Sequence, residues 1–291
     1  MSKVLVMTDS VSCISKDIAE KFNIRVVPAA HIYFNGKQYI DGVTLSATEA
    51  YQLIKNDPDR FITSALTPAY LLEEFIKASK ESSSILFIAL SAALSAASKT
   101  AAVAADLLKE SSPQTTIKIM DSRTVASAQG LVALQAARAA ASGMNLESVA
   151  DFAEKVRQQT HGIMMLDTLR YVYRTGRMSK MGSRIAAMFN IKPINKVTDE
   201  GKIEMVDRTR NRDDGLEILV NYVKNTAATN DLHFMVTHAA DIALANQLSD
   251  MVKKEFNCLS LFISDYSPVM GYGAGPGAVF LGFHPEIDLP K

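Results

Sequence analysis

The stretch VLVMTDSVSCISKDIAEKFNIRVVPAAHIYFNG, from Val4 to Gly36, sets the fold class. Val4–Met7 is a short apolar run typical of a buried strand, and Ile14–Phe22 has the apolar spacing of a helix. A second extended run, Arg25–Phe34, follows and ends at the hairpin signal Asn35-Gly36. Strand, helix and strand in this order predict a parallel sheet with crossover helices.

The same alternation continues to about residue 160. Capping signals mark two further helix starts, Ser46 with Glu49 three residues later and Thr67 with Pro68. Additional strands are predicted at Ser84–Leu90 and Thr116–Met120, and additional helices at Ser95–Lys109, Thr124–Ser142 and Leu146–Gln159. Together these elements predict a doubly wound parallel-sheet N-terminal domain at residues 1–160.

The second half follows a different pattern, because two of its strand-like runs are joined across Asp199-Glu200-Gly201 and therefore favour antiparallel pairing. Strands are predicted at His161–Leu166, Ile191–Val197, Lys202–Arg208, Leu232–Thr237, Leu259–Ser264 and Ala278–Phe283, with helices at Asp213–Ala227 and Ala240–Phe256. We therefore predict an α/β protein of two domains, in which residues 161–291 form a mixed-sheet α/β C-terminal domain.

Composition and charge narrow the class of protein. The chain has 291 residues, of which 48% are apolar and 21% charged, and this balance is typical of a globular protein. Lys plus Arg equals Asp plus Glu at 31 each, so no net charge attracts the chain to nucleic acid. A DNA-binding regulator is disfavoured further because no basic recognition helix is visible.

The sequence also predicts a cytoplasmic protein. Asp9 interrupts the first apolar run too early for a signal peptide, and no integral membrane segment is expected because Lys99 and Asp106 interrupt the most apolar later region. Cys13 and Cys258 lie far apart beside apolar runs, which is typical of reduced structural thiols.

Hydroxyl groups are concentrated at the strand-to-helix junctions predicted in the first half. The junctions read Thr8-Asp9-Ser10, Thr63-Ser64 with Thr67, Ser91 with Ser95, and Asp121-Ser122. Ligands of open α/β sheets bind at the carboxyl ends of the strands, where hydroxyl groups and helix N-termini favour an oxyanion. A carboxylate bound without a metal fits this pattern, and ordinary helix capping is the alternative at any one junction.

Two further segments are candidates for ligand contact. RYVYRTGRMSKMGSR, Arg170–Arg184, is a basic helical pattern interrupted by glycines, and its Arg177 is able to bind a carboxylate or phosphate through two parallel hydrogen bonds. The segment GYGAGPG, Gly271–Gly277, is typical either of a tight turn or of a backbone that approaches a ligand closely.

No catalytic signature accompanies these candidates. The five histidines lack metal-ligand spacing, and neither cysteine lies in a CxxC pair or beside an obvious base. No GxSxG elbow and no phosphate-binding glycine loop occurs. We therefore predict no catalytic residue, no metal and no cofactor.

Over nearly its whole length the chain resembles the DegV family of bacterial fatty-acid-binding proteins. The resemblance rests on the order and spacing of several motifs rather than on any one of them. These are TDS at Thr8–Ser10, the run Val26–Ser46, TSALTP at Thr63–Pro68, LS at Leu90-Ser91 and Leu94-Ser95, TGRMSK at Thr175–Lys180, NIKPI at Asn190–Ile194 and GPG at Gly275–Gly277.

The resemblance implies a lipid-binding protein that holds one long-chain fatty acid in a tunnel between its domains and presents the carboxylate to a separate fatty acid kinase. On the family pattern, Thr63 and Ser91 contact the carboxylate and Arg177 lies on the side of the kinase. The implied ligand-binding residues are Thr63, Ser64, Ser91, Ser95, Gly273, Gly275 and Gly277. Gly273 stands where the family pattern has a histidine.

The alternative hypothesis is an enzyme of the same fold. It would act on a small phosphorylated or carboxylated metabolite, with Asp9, Asp121 and Arg177 in the cleft between the domains. A narrow apolar tunnel would favour an acyl chain, and a wet polar cleft would favour the enzyme.

Overall fold

The computed structural model describes residues 4–177 and 191–290. The strands in these residues are β1 Leu5–Asp9, β2 Ile24–Val27, β3 Ala30–Phe34, β4 Lys37–Ile40, β5 Ile62–Ala65, β6 Ser84–Ala89, β7 Thr116–Asp121, β8 His161–Met165, β9 Lys192–Val197, β10 Ile203–Thr209, β11 Asp231–His238, β12 Asn257–Asp265 and β13 Val279–Pro285. The helices are α1 Lys16–Phe22, α2 Ala47–Asn56, α3 Pro68–Ser79, α4 Ala97–Ser111, α5 Ala126–Ala141, α6 Leu146–Gln158, α7 Arg170–Thr175, α8 Arg212–Thr226, α9 Ile242–Glu255 and α10 Pro268–Ala274.

The first half contains a parallel sheet in the order β2-β1-β6-β7. The central strands β1 and β6 are buried on both faces, and their alternate side chains point to opposite sides of the sheet. Val4 and Val6 pack with α1, α5 and α6, whereas Leu5 and Met7 pack with α3 and α4. Helices therefore cover both faces, which confirms the predicted doubly wound arrangement.

The prediction that Arg25–Phe34 forms one extended run is wrong. The run is divided between β2, at the edge of the parallel sheet, and β3, in a separate antiparallel sheet of order β4-β3-β5. Pro28 lies at the break and has no N–H with which to continue a ladder. The predicted turn at Asn35-Gly36 is confirmed, because both residues have positive φ angles of 50° and 76°.

Strand β5 was not predicted, and it changes the setting of two candidate residues. Thr63 and Ser64 lie within β5, where they pair with Ile32 and His31. They therefore do not sit at the carboxyl end of a parallel strand, as the junction pattern indicated. Thr67 is a helix cap as predicted, since its side chain accepts a hydrogen bond from the Tyr70 amide.

The second half forms a mixed sheet of order β10-β9-β8-β13-β11-β12, in which β11 and β12 pair in parallel and the other neighbours pair antiparallel. The predicted β9–β10 pairing across Gly201 is confirmed. Helices α8 and α9 pack on one face of this sheet through an apolar cluster that includes Leu216 and Leu248.

Helix α5 packs against both sheets. Its sequence is mainly apolar, and 14 of its 16 residues are buried, which is the behaviour expected of a helix inside a core. It contacts β1 of the parallel sheet and both β11 and β13 of the mixed sheet. Gly282 of β13 permits this approach, because a Cβ there would lie 2.7 Å from the Ala128 amide nitrogen.

Candidate functional site

A cavity of about 180 Å³ lies between the parallel sheet and the mixed sheet, where β5, α7 and α10 meet. Its walls come from segments that are far apart in the sequence, so only the folded chain brings them together. The lining residues are Val11, Ala29, Ala30, Thr63, Ser64, Ala65, Leu90, Leu94, Ser95, Val125, Met164, Leu166, Val172, Thr175, Arg177, Ile203, Val269, Met270, Tyr272, Gly273 and Ala274. Most of these side chains are apolar, and the polar ones are hydroxyl groups and one guanidinium.

Thr63 and Ser64 bring hydroxyl groups to the cavity on the edge strand β5. Thr63 is half-buried and Ser64 is exposed, and no side-chain hydrogen bond within residues 4–177 and 191–290 involves either hydroxyl group. Ser95 also lines the cavity, and its oxygen accepts a hydrogen bond of 3.2 Å from the Ala97 amide. The hydrogens of these three hydroxyl groups are therefore available to a ligand that accepts hydrogen bonds.

Ser91 has a different environment from the other candidate hydroxyl residues. It is fully buried and is not among the residues that line the cavity. Its hydroxyl group donates to the Gly201 carbonyl at 2.8 Å and accepts from the Ala93 amide at 3.2 Å. In this conformation Ser91 joins the end of β6 to the β9–β10 turn, and its contact with a carboxylate stays a prediction.

Arg177 lies at the exposed side of the cavity, just after α7 ends at Gly176. Its Nε donates to the Leu94 carbonyl at 3.4 Å, and its guanidinium also hydrogen-bonds the Thr175 carbonyl. The side chain is thus held beside Ser95 and remains accessible to solvent. The rest of the predicted basic segment, residues 178–184, lies outside the described residues.

The glycine-rich segment Gly271–Gly277 is the end of α10 followed by a turn at Gly275. Helix α10 begins with Pro268 in its first turn, a position that proline tolerates and that Pro68 also occupies in α3. A Cβ on Gly271 would lie 2.4 Å from the Tyr51 ring, so Gly271 permits close packing within the protein.

Gly275 and Gly277 have similarly structural roles. Their φ angles are +80° and +84°, which favour glycine, and added Cβ atoms would meet the rings or side chains of Tyr171 and Arg212. Neither residue lines the cavity. Gly273 does line it, and the structure thus brings Thr63, Ser64, Ser95, Gly273 and Arg177 together.

The two aspartates of the enzyme hypothesis, Asp9 and Asp121, both accept hydrogen bonds from backbone amides. Asp9 is buried, and its carboxylate accepts hydrogen bonds from the Val11 and Leu90 amides and from Gln129. The Asp121 carboxylate accepts from the amides of Ala92 and Arg123. Neither lines the cavity beside Arg177.

A second buried carboxylate, Asp41, connects the first half of the chain to α10. Its Oδ1 accepts a hydrogen bond of 3.0 Å from the Val269 amide, and its Oδ2 accepts from the Ser10 hydroxyl. Burial raises the pKa of Asp41 to about 6, opposed by these hydrogen bonds, and burial likewise raises the pKa of Asp9 to about 6. Sequence reasoning missed Asp41 as a structural link because its partner is 228 positions away.

In residues 4–177 and 191–290, no group of three or more His, Cys, Asp or Glu side chains is arranged to hold a metal ion. Among the same residues, no helix has the length and apolar character needed to cross a bilayer.

Comparisons with known proteins agree on one family. The family model described as "Uncharacterised protein, DegV family" matches residues 3–286. A DegV domain-containing protein of Caldanaerobacter subterraneus is 28% identical over 284 residues, which is 97% of this chain and 99% of that protein.

Solved structures of similar fold have been described as fatty-acid-binding. A DegV family protein from Thermus thermophilus, whose structure concerns fatty acid binding, aligns with a TM-score of 0.87 at 20% identity over 98% of this chain and 100% of its own. A DegV family protein from Eubacterium eligens, loaded with heptadecanoic acid, aligns with a TM-score of 0.86 at 18% identity over 97% and 100%. At these identities the likeness establishes the fold.

Proposed function

The chain belongs to the DegV family, and from this premise we propose that it binds a long-chain fatty acid in the cavity between its two halves. In this proposal residues 1–160 supply the hydroxyl groups that meet the carboxylate, and residues 161–291 close the cavity over the acyl chain. The ligand requires no metal and no cofactor, because the carboxylate is held by hydrogen bonds.

The observation that carries the proposal is a single cavity that combines apolar walls with hydroxyl groups whose hydrogens have no acceptor among the described residues. Thr63, Ser64 and Ser95 offer hydroxyl hydrogens, whereas residues such as Leu94, Met164 and Val172 offer apolar surface. An anion with a long apolar body complements both. About fifteen buried methylenes would contribute on the order of 12 kcal/mol before ordering costs are subtracted, so packing dominates the affinity and the carboxylate sets the orientation.

The size of the cavity adds a requirement. Its volume of about 180 Å³ is below the roughly 300 Å³ at which ordinary ligand pockets begin. A small neighbouring cavity of about 20 Å³ shares the walls Ala29, Ala65 and Ser95. A long acyl chain therefore needs side-chain movement, and Met164 and Met270 are suited to it because methionine has three rotatable bonds and packs adaptably.

We propose further that the protein presents the bound carboxylate to a separate kinase rather than modifying it. The position of Arg177 supports this, because its guanidinium is exposed at the cavity while remaining anchored to the Leu94 carbonyl. An exposed arginine is well suited to contact a phosphate or a carboxylate of a partner. The two free thiols, Cys13 and Cys258, are consistent with the cytoplasmic location that an ATP-dependent partner implies.

The decisive test is the ligand content of the purified protein. An organic extract of protein expressed in bacteria, analysed by mass spectrometry, should contain about one long-chain fatty acid per chain. Two samples serve as controls for fatty acid that is not specifically bound. One is the denatured protein, and the other is a lipid-free protein purified in parallel. If the extract contains no fatty acid, and if delipidated protein fails to bind added hexadecanoic acid, the proposal is wrong.

The groups named in the enzyme hypothesis do not form the cleft that it requires. Its proposed cleft groups, Asp9 and Asp121, are both occupied by backbone amides, and the cavity beside Arg177 has mainly apolar walls. Turnover of a small metabolite by the purified protein alone would support the enzyme hypothesis against the binding proposal.

A further inference from the structure

Helix α10 forms one wall of the cavity and supplies five of its lining residues. Apolar and polar contacts hold this wall to the first half of the chain. The Tyr272 ring stacks on the Phe61 ring, with the two centroids 5.5 Å apart. The Asp41 carboxylate accepts a hydrogen bond of 3.0 Å from the Val269 amide, in the first turn of α10. Movement of α10 away from the cavity therefore separates Asp41 from the Val269 amide.

In the closed arrangement Asp41 is a buried negative charge whose hydrogen-bond donors are neutral. Its carboxylate is bound by the Val269 amide and the Ser10 hydroxyl, and the residue is 1% exposed. Neutral donors replace only part of the hydration that a carboxylate loses on burial. This burial is also the largest cause of the raised pKa of Asp41, about 6. Closure of α10 over the ionised carboxylate therefore costs free energy that closure over the protonated form does not.

A groove of about 950 Å³ lies beside Asp41. Its lining includes Ser10, Asp41 and Pro268, the residue with which α10 begins. When α10 moves outward, Pro268 and Val269 withdraw from Asp41, and water from the groove reaches the carboxylate. Because hydration favours the charged form, opening of α10 costs less free energy when Asp41 is ionised than when it is protonated.

The ionisable groups around Asp41 add no compensating positive charge among the described residues. Those that interact with Asp41 or with its immediate neighbours are all acids, namely Asp9, Cys13, Tyr51, Asp265 and Tyr266. The cations that line the adjacent groove, Lys16 and Arg25, are paired with Glu20 and Glu81. The Asp41 carboxylate therefore gains more from contact with water than from any described cation.

We propose that the ionisation of Asp41 promotes the opening of α10 and thereby speeds ligand exchange through this wall of the cavity. Asp41 binds its proton more tightly in the closed state than in the open, hydrated state, so acid favours closure. Opening becomes easier as the pH rises from about 4 to about 6, and it changes little above this range. The part of this inference that concerns ligand exchange rests on the proposed function.

Hydrogen–deuterium exchange of the lipid-free protein tests the opening of α10 without a ligand. Native protein and Asp41→Asn are compared at the same pH, so the intrinsic pH dependence of amide exchange cancels. At pH 8 the peptide that contains α10 should exchange about ten- to hundredfold faster in the native protein, because a difference of about two pKa units corresponds to about a hundredfold. At pH 3.5 the two proteins should exchange within about twofold of each other. In both proteins α10 should exchange faster than α5, which identifies a local opening.

Release of a bound fatty acid tests the coupling of this opening to the ligand. The probe is cis-parinaric acid, a naturally fluorescent long-chain fatty acid, and its transfer to phosphatidylcholine vesicles that contain a quenching lipid is followed by stopped flow. Comparison of native protein with Asp41→Asn at the same pH cancels the titration of the ligand's own carboxyl group. The native protein should release the acid at least about threefold faster at pH 8 and within about twofold of the variant at pH 3.5.

Asp106→Asn is the matched control for both measurements. It removes a carboxylate that is exposed on α4 and is paired with Lys109, so it should behave as the native protein at either pH.

Three outcomes separate this inference from the proposed function. Equal exchange of α10 in native protein and Asp41→Asn at pH 8 would overturn the inference, as would exchange of α10 only together with α5. If α10 responds as expected but both proteins release the acid at one rate, the ligand leaves through another wall and the coupling is wrong. If no fatty acid binds, the proposed function fails, and the exchange of α10 still decides whether Asp41 promotes its opening.

Discussion

Replacing Asp41 by asparagine should stabilise the protein at alkaline pH and leave its stability nearly unchanged in acid. Asp41 is 1% exposed and its carboxylate is hydrogen-bonded by Ser10 and the Val269 amide, with no cation among its hydrogen-bonding partners. Asparagine preserves the shape, and its Oδ1 can still accept from the Val269 amide. Its amide group can donate to the Ser10 oxygen, which also accepts from the Ala29 amide, so the substitution removes the charge, keeps the Val269 hydrogen bond and reverses the direction of the Ser10 hydrogen bond.

The magnitude follows from the raised pKa. Burial raises the pKa of Asp41 from 3.8 to about 6, so the folded state binds a proton more tightly than the unfolded state between these two values. The free energy of unfolding therefore falls as the pH rises from about 4 to about 6 and levels off above. A difference of about two pKa units corresponds to about 3 kcal/mol, which is an upper limit for the gain from Asp41→Asn at pH 8.

The assay is urea denaturation of native protein and Asp41→Asn at pH 3.5 and pH 8, at equal ionic strength. The two proteins should have similar unfolding free energies at pH 3.5, below the unfolded pKa, and the variant should exceed the native protein by about 1 to 3 kcal/mol at pH 8. Asp106→Asn serves as the control, because it removes an exposed carboxylate of α4 and should change stability by less than about 0.5 kcal/mol at either pH. A variant that is destabilised equally at both pH values would refute the account of Asp41 as a buried charge without a compensating cation.

Three further substitutions test the site. Thr63→Ala should weaken fatty-acid binding by about 1 to 3 kcal/mol, because a hydrogen bond to the carboxylate is lost, and unchanged calorimetric affinity would place the carboxylate elsewhere. Ser91→Ala should lower the free energy of unfolding by about 1 to 3 kcal/mol even without ligand, because the buried Gly201 carbonyl loses its donor; urea denaturation measures this, and an unchanged midpoint would contradict it. Arg177→Ala should leave fatty-acid affinity within about threefold while slowing phosphorylation of the bound acid by a fatty acid kinase, and a large loss of affinity would assign Arg177 to the ligand instead.

The fold was largely predictable because local patterns and tertiary packing agree. The alternation of Val4 and Val6 with Leu5 and Met7 suits a strand buried on both faces, and the mainly apolar sequence of α5 agrees with its burial. The error at Arg25–Phe34 has a physical cause. Residues on both sides of Pro28 favour extended structure equally, so local propensity cannot tell that they belong to different sheets.

The candidate site was predictable in part. Thr63, Ser64, Ser95, Arg177 and Gly273 were named from the sequence, and the cavity contains all five. The sequence could not separate Ser91 from Ser95, because the difference lies in a hydrogen bond to Gly201, 110 positions away. It also could not distinguish glycines that serve packing from a glycine that serves the cavity, since that depends on which rings lie opposite.

The shared helix α5 has a consequence for how any ligand reaches the cavity. Since α5 packs against β1 on one side and against β11 and β13 on the other, parting the parallel and mixed sheets would expose a mainly apolar helix or break the buried hydrogen bonds that Gln129 donates to Thr8 and Asp9. Separation of the sheets at α5 is therefore energetically unfavourable. The amides of α5 should be among the slowest to exchange with deuterated solvent. Entry is left to the thin outer wall, where the edge strand β5 and the short helices α7 and α10 have little buried surface to lose. We therefore expect the two sheets and α5 to stay rigid while β5, α7 and α10 move to admit the ligand.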